Sequence, residues 1–250
     1  MPVFSSDGYE LSYLEEGAGD PVLLIHGFGS TKEVNWVNTS WFKTLTGAGY
    51  RVIAFDHRGH GASQKLYDPP LYDTRLMAGD ARNLLAHLGL SRADVIGYSM
   101  GARVAAQMAL AYPEAVRSFV MGGLGIHLVD GVGLPQSIAD ALEAPSLEDV
   151  TDPMGRMFRA FGDANKADLK ALAACIRGSR QTLTRAQVSS IAQPVLVAVG
   201  TRDAIAGDAH ALAALIPNGE ALDIPGRDHN PAVGDKVFKQ GVLDFLARRP

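Results

Sequence analysis

The stretch 93–111, ADVIGYSMGARVAAQMALA, decides the fold. Residues 93–98 (ADVIGY) form a short apolar run of the kind that makes a buried central strand, and residues 100–111 (MGARVAAQMALA) form a helix rich in Ala and Met. Only Ser99 stands between them, so strand passes into helix through a single sharp turn, with Gly97 and Gly101 flanking the serine in a G-x-S-x-G pattern. A backbone turned that sharply is strained and approaches its neighbours closely, which is why glycine is expected on both sides. The turn also sets Ser99 at a helix N-terminus, where unpaired N–H groups favour developing negative charge. Ser99 is therefore the candidate nucleophile.

Working outward, the runs PVLLIH (21–26), RVIAFD (51–56), VRSFVM (116–121) and PVLVAVG (194–200) have the same texture and end beside chemically loaded residues. Helical patterns lie at 73–88, 100–111 and 232–248. This alternation predicts an α/β fold with a mainly parallel sheet covered by helices on both faces. YELSYLE (9–15), following the turn signal Asp7-Gly8, alternates apolar and polar and predicts an antiparallel edge pair. From Gly125 to Gln187 no strand pattern occurs, and Pro135, Pro145 and Pro153 punctuate short helical segments. Residues 125–187 are read as a helical cap inserted into a core formed by 1–124 and 188–250. Within it, 166–178 (KADLKALAACIRG) predicts the clearest amphipathic helix. MGRMFRAF (154–161) groups Met154, Met157, Phe158 and Phe161, which either pack the cap onto the core or line a substrate pocket.

A serine hydroxyl is a poor nucleophile at neutral pH without a base. In a strand–turn–helix elbow of this type the partners follow in the order serine, acid, histidine, each beyond the C-terminal end of a strand. Asp203, in Gly200-Thr201-Arg202-Asp203 just past PVLVAVG, fits the acid. His229, in Ile224-Pro225-Gly226-Arg227-Asp228-His229-Asn230-Pro231, fits the base. His210 follows too closely on a helical segment, 208–215, and Asp228 is adjacent to His229 and so poorly placed to face it. The loop after Met121 (Gly122-Gly123-Leu124-Gly125) offers no competing carboxylate. Tetrahedral intermediates also need donors for an oxyanion. The backbone N–H groups of Phe28, in His26-Gly27-Phe28-Gly29, and of Met100 are the candidates, with His26 read as holding that loop. A second Gly-rich loop, DHRGHGAS (56–63), follows RVIAFD. Metal binding by Asp56, His57 and His60 is set aside there, because no second ligand cluster accompanies them and Arg58 would repel a cation.

Composition narrows the partners. The 23 basic and 27 acidic residues of 250 leave a net charge of −4, with no basic stripe to bind nucleic acid or an anionic membrane. The densest basic pair, Arg248 and Arg249, suits a solvated helix end. Cys175 is the only cysteine, so no internal disulfide is available, and the N-terminus carries no signal-peptide pattern; a cytoplasmic location is expected. The expected partner is a small-molecule substrate. The oligomeric state is not specified by the sequence.

Taken together, HGFG (26–29), DHRGHGAS (56–63), GYSMG (97–101), PVLVAVGTRD (194–203) and GRDHNP (226–231) resemble the motif set of the α/β-hydrolase superfamily in order and spacing. The resemblance implies eight mostly parallel strands with the cap inserted after the sixth. It also implies a triad of Ser99, Asp203 and His229, oxyanion donors at Phe28 and Met100, no metal and no cofactor. Ala102-Arg103 follows the elbow where many relatives have a further glycine. Haloalkane dehalogenases and epoxide hydrolases carry Asp at the elbow and dienelactone hydrolases carry Cys, so Ser99 points to acyl transfer and to a carboxylic-ester hydrolase. Carbon–carbon bond hydrolysis and cofactor-free perhydrolysis use the same triad. A ligand-binding sensor on a hydrolase scaffold is the alternative outside catalysis.

Overall fold

The computed structural model describes residues 1–131 and 134–248. The antiparallel start is present: β1 (Val3–Ser6) and β2 (Tyr9–Glu16) join across Asp7-Gly8, both at positive φ, with Phe4 opposite Leu11. β3 (Pro21–Ile25), β4 (Arg51–Phe55), β5 (Ala93–Tyr98), β6 (Val116–Gly122), β7 (Val195–Gly200) and β8 (Gly219–Ile224) follow. These six pair in parallel, β2 joins β4 antiparallel, and the sheet order is β1-β2-β4-β3-β5-β6-β7-β8. Each apolar run is divided by its period of two. Leu23 and Ile25 enter one core cluster and Val22 and Leu24 the other, so both faces of the central strands are dry.

The helices are α1 (Trp41–Gly47), α2 (Thr74–His87), α3 (Met100–Ala111), α4 (Ser137–Glu143), α5 (Pro153–Ala164), α6 (Leu169–Gly178), α7 (Arg185–Ser189), α8 (Ala209–Ala213), α9 (His229–Ala232) and α10 (Lys236–Arg248). Trp41 and Leu45 of α1 and Phe238, Val242 and Phe245 of α10 cover one face. Leu84 of α2, Val104 and Met108 of α3 and Leu212 of α8 cover the other. Between β6 and β7 the described residues form only helices and turns. Their buried side chains, among them Leu142, Leu172 and Ile176, continue the α2–α3 cluster.

Several boundaries differ from the sequence reading for local reasons. The helix expected over 166–178 starts at Leu169, because Lys166 takes a positive φ of 51° and the Asp168 side chain caps Ala171 N at 3.0 Å. The helix expected over 232–248 is two: α9 ends at Ala232, and Asp235 restarts the chain by accepting from Val237 N at 2.7 Å. Helix α1 has no counterpart in the sequence reading. Seven residues are too few to show a full amphipathic period, and tertiary burial of Trp41, Phe42 and Leu45 holds it. Arg249 lies outside the described residues, while Arg248 pairs with exposed Glu220 at 2.9 Å.

The order of strands places the site. The chain leaves β3 toward β4 on one side and returns to β5 on the other, so the loops after β3 and β5 diverge at the reversal and leave a crevice above their C-terminal ends. Ser99 and the His26–Gly29 loop both sit there. Helix α3 lies so tightly on β3 that a Cβ on Gly101 would stand 2.0 Å from Ile25 O, and one on Gly97 would stand 2.3 Å from Gly101 O. Backbone cannot give way as a flexible side chain can. Gly101→Ala is therefore expected to cost at least about 2 kcal/mol or to prevent folding, whereas Ala102→Gly costs only about 1 kcal/mol of helix propensity. Urea titration of both variants checks this, and equal midpoints would contradict the close approach.

Candidate active site

Ser99 caps α3 with φ 55° and ψ −114°, the conformation of the first central residue of a type II′ turn, which glycine otherwise dominates. Its N–H donates to Gly122 O at 2.8 Å, and its carbonyl accepts from Ala102 N and Arg103 N. The side chain is thereby turned up and away from the sheet. His229 opens α9 beyond β8 rather than lying in an open loop, and its Nε2 is 2.9 Å from Ser99 Oγ. Its Nδ1 is 2.7 Å from Asp203 Oδ2. A carboxylate only accepts, so Nδ1–H donates to Asp203, and Nε2 is left free to accept the serine proton.

Asp203 is itself fixed. Oδ1 accepts from Ile205 N at 2.9 Å and Ala206 N at 3.1 Å, and the carboxylate is fully buried. His229 is steadied from the backbone side by Tyr98, whose buried hydroxyl donates to His229 O. Burial, followed by the negative charge of Asp203, pushes the Tyr98 phenol well above its ordinary value, so it remains a donor. Tyr98 belongs to the quoted GYSMG but was not singled out from sequence, since an aromatic at the end of a strand reads first as core.

The His26–Gly29 loop is held by acceptors on both sides of Phe28. Gly27 N donates to Asn35 Oδ1 at 3.1 Å and Gly29 N to His60 Nε2 at 3.2 Å. Among the described residues neither Phe28 N nor Met100 N has a protein acceptor, and both residues line a cavity with Ser99. Beneath the loop, His26 Nδ1–H donates to Gly27 O at 2.8 Å while its Nε2 accepts from His57 N at 3.1 Å. His26 thus supports the loop, as expected.

The loop 56–63 has a different charge arrangement from the one inferred. Arg58 turns away to pair with buried Asp80 at 2.7 Å, and it is the buried Lys32 ammonium that sits 2.6 Å from Asp56 Oδ2. Asp56 also accepts from Lys32 N and Ala62 N, both at 2.8 Å. Gly61, at φ 45°, admits this carboxylate, since a Cβ there would lie 2.2 Å from Asp56 Oδ2. Burial acts to raise the Asp56 carboxyl, but His26 and Lys32 outweigh it and leave it below the usual carboxylate value. Among the described residues no group of three or more His, Cys, Asp or Glu is placed to hold a metal ion.

Two cavities meet at Ser99 and Phe28. The larger, about 250 Å³, is lined by Met157, Phe158, Phe161, His229 and Asn230, among others. The smaller, about 70 Å³, runs past Met100, Arg103, Leu124 and Ile176. Met154 lines neither; it is half-buried and packs against the core cluster, one turn before Phe158 on α5. Arg103 was noted in the sequence only as a departure from a glycine pattern.

A serine, a histidine and a carboxylate in one hydrogen-bonded row above the C-terminal ends of a parallel sheet define the hydrolase class of α/β proteins. The comparisons agree. The model of the alpha/beta hydrolase fold family matches residues 20–136. A protein of Mycobacterium tuberculosis named as a non-heme bromoperoxidase is 31% identical over 88% of this chain and 90% of its own. Non-heme chloroperoxidase CPO-A1 of Kitasatospora aureofaciens is 28% identical over 98% of this chain and 99% of its own. The crystal structure of a hydrolase from Pseudomonas aeruginosa superposes with a TM-score of 0.77 at 27% identity, covering 98% of this chain and 97% of that one. The chain belongs to the α/β hydrolase fold family.

Two outcomes follow from the geometry. Because Ser99 carries a positive φ, Ser99→Gly is expected to be about 1 kcal/mol more stable than Ser99→Ala, the reverse of their order inside a helix. Thermal melts of the two variants decide it. The second concerns acid. Burial lowers His26, pushes His57 far below the ordinary imidazole value of 6.5 and brings His60 down to about 3. Below pH 6.5 the unfolded chain binds protons that the native rings refuse. Stability is then complete above that value and declines as pH falls below 6.5; His60 alone contributes about 1.4 kcal/mol per pH unit toward 3, and His26 and His57 act in the same direction. Urea midpoints unchanged between pH 7.5 and pH 5 would overturn this.

Proposed function

We propose that the chain is a serine hydrolase that cleaves small or medium carboxylic esters through an acyl-enzyme. The observation that carries this reading is the unbroken row Asp203 Oδ2–His229–Ser99 Oγ, with separations of 2.7 and 2.9 Å. Ser99 Oγ attacks the ester carbonyl carbon while its proton passes to His229 Nε2, and Asp203 stabilises the imidazolium. The tetrahedral oxyanion is received by the N–H groups of Phe28 and Met100, which have no competing protein acceptor. The carbon–oxygen bond then breaks, His229 returns the proton to the leaving alkoxide, and a water deprotonated by the same histidine hydrolyses the acyl-enzyme.

The leaving group must lie within reach of His229 Nε2. It therefore occupies the larger cavity, which His229 lines with Met157, Phe158 and Phe161, and the acyl group enters the smaller one. In this reading residues 125–187 act as a cap over a core of 1–124 and 188–250, and the partner is a small-molecule substrate. The single cysteine supports a reducing, cytoplasmic setting. Peroxide in place of water at the second step would give a peracid. The printed names of the Mycobacterium and Kitasatospora relatives favour testing that branch.

Chromogenic esters of graded acyl length provide the assay. Ser99→Ala is expected to lower kcat about a millionfold, and Asp203→Asn, which leaves the site's shape intact, about ten-thousandfold. A loss of less than tenfold on Ser99→Ala removes Ser99 as nucleophile. A fluorophosphonate should label Ser99 stoichiometrically, and a folded chain that stays unlabelled and inert would instead be a ligand-binding sensor. Peracid formation on adding hydrogen peroxide, if it outruns hydrolysis, would replace the ester reading by perhydrolysis.

A further inference from the structure

The smaller cavity carries charge that the ester reaction does not use. Arg103 lies four residues beyond Ser99, one turn along α3 and on the same helix face, about 6 Å further along the axis. The residue is 8% exposed, and one N–H, from Nη1, donates to Gln181 O at 2.7 Å. Among the described residues no carboxylate lies within 4.0 Å of its guanidinium, in contrast to Arg58, which pairs bidentately with Asp80. Arg180, which donates to Leu134 O, brings a second guanidinium to the same cavity, whose lining contains no acidic side chain. Burial first, and Arg180 second, push the Arg103 guanidinium down to about 10, so it stays charged at neutral pH. A buried cation beside a second cation and without a counter-ion is costly unless an anion arrives to pair with it.

We propose that Arg103, assisted by Arg180, binds a carboxylate at the far end of the acyl group, so that the substrates are half-esters of short dicarboxylic acids. This rests on the assignment of the smaller cavity to the acyl group. The reaction stays in balance without a further reactant. Ser99 displaces the alcohol, water releases the acyl group, and the product is a dicarboxylate together with the alcohol and one proton. The planar guanidinium suits a carboxylate through paired N–H donors, and the small volume of about 70 Å³ selects short chains.

Monomethyl glutarate and its neutral isostere methyl 5-methylhexanoate, in which an isopropyl group replaces the carboxylate, separate charge from shape, with monomethyl succinate and adipate setting the length. Calorimetry on Ser99→Ala reads binding without turnover. The half-ester is expected to bind at least tenfold tighter than the isostere, Arg103→Gln to remove about ten- to a hundredfold of that preference, and Arg103→Lys to retain part of it. In the unmutated chain the ratio of kcat/KM values for the two esters should follow the same order. A purely structural Arg103 would change stability but not this ratio. Equal binding of the two esters, or a preference indifferent to Arg103→Gln, overturns the proposal. If Arg103→Gln fails to fold, the preference in Ser99→Ala and its response to Arg103→Lys decide. An Arg103-dependent preference in a chain that turns over neither ester and resists fluorophosphonate leaves the subsite standing and removes the hydrolase reading. Turnover favouring methyl 5-methylhexanoate does the reverse.

Discussion

The contact on which the site depends is between two pieces of backbone: the first turn of α3 lying against the end of β3, with Gly101 over the Ile25 carbonyl. Because no Cβ intervenes, the helix begins immediately beyond the sheet and its N-terminus stays open. The left-handed turn at Ser99 follows from that proximity, as does the position of Met100 N. The same contact brings the His26–Gly29 loop beside the elbow, since a Cβ on Gly27 would already be 3.4 Å from Ser99 Cβ. The Ser99 hydroxyl and both candidate oxyanion donors are therefore set by one packing distance. One side chain and two backbone amides did not have to find independent positions.

Beneath that contact the molecule accepts an expensive interior. Three neutral histidines and a fully buried Lys32–Asp56 pair occupy the space that apolar residues could fill at lower cost. Removing either member of such a pair leaves an unpaired charge and costs about 3–5 kcal/mol. What the arrangement yields is direction. His60 Nε2 can hold Gly29 N only while it is unprotonated, with Nδ1–H given to Arg58 O at 3.0 Å. Burial enforces that state. The polar interior thus satisfies the amides on either side and, among the described residues, leaves Phe28 N without a protein acceptor.

The sequence carried the parts of this that depend on spacing. A strand, a lone serine and a helix in immediate succession, with glycine two residues away on each side, left little freedom for Ser99. The order of Asp203 and His229 behind it followed from the alternation of strands and helices. What stayed hidden depends on contacts between distant segments. Arg58 could not be seen to face Asp80 in α2, and Lys32 gave no sign of pairing with Asp56. Tyr98 and Asn35 are ordinary residues until the loops they support are placed beside them. In MGRMFRAF the composition was legible but the extent of the cavity was not: Met157, Phe158 and Phe161 line it, and Met154, at the start of α5, does not.

The two cavities differ in a way that constrains chemistry more than their volumes do. The one that His229 lines presents thioether and phenyl groups from α5, which bind apolar surface without regard to direction. The other is lined by Arg103 and Arg180 as well as Ser99, so a ligand that brings a negative charge gains there. An apolar pocket discriminates weakly between chains differing by a methylene, whereas a buried charge left unpaired by the wrong ligand discriminates strongly. On the proposed reading, selectivity should therefore reside in the acyl half of the site, on the helix that Ser99 caps. Arg103 and Ser99 lie one turn apart at the start of α3. On the proposed reading, their separation would set the distance between carboxylate and ester along the substrate.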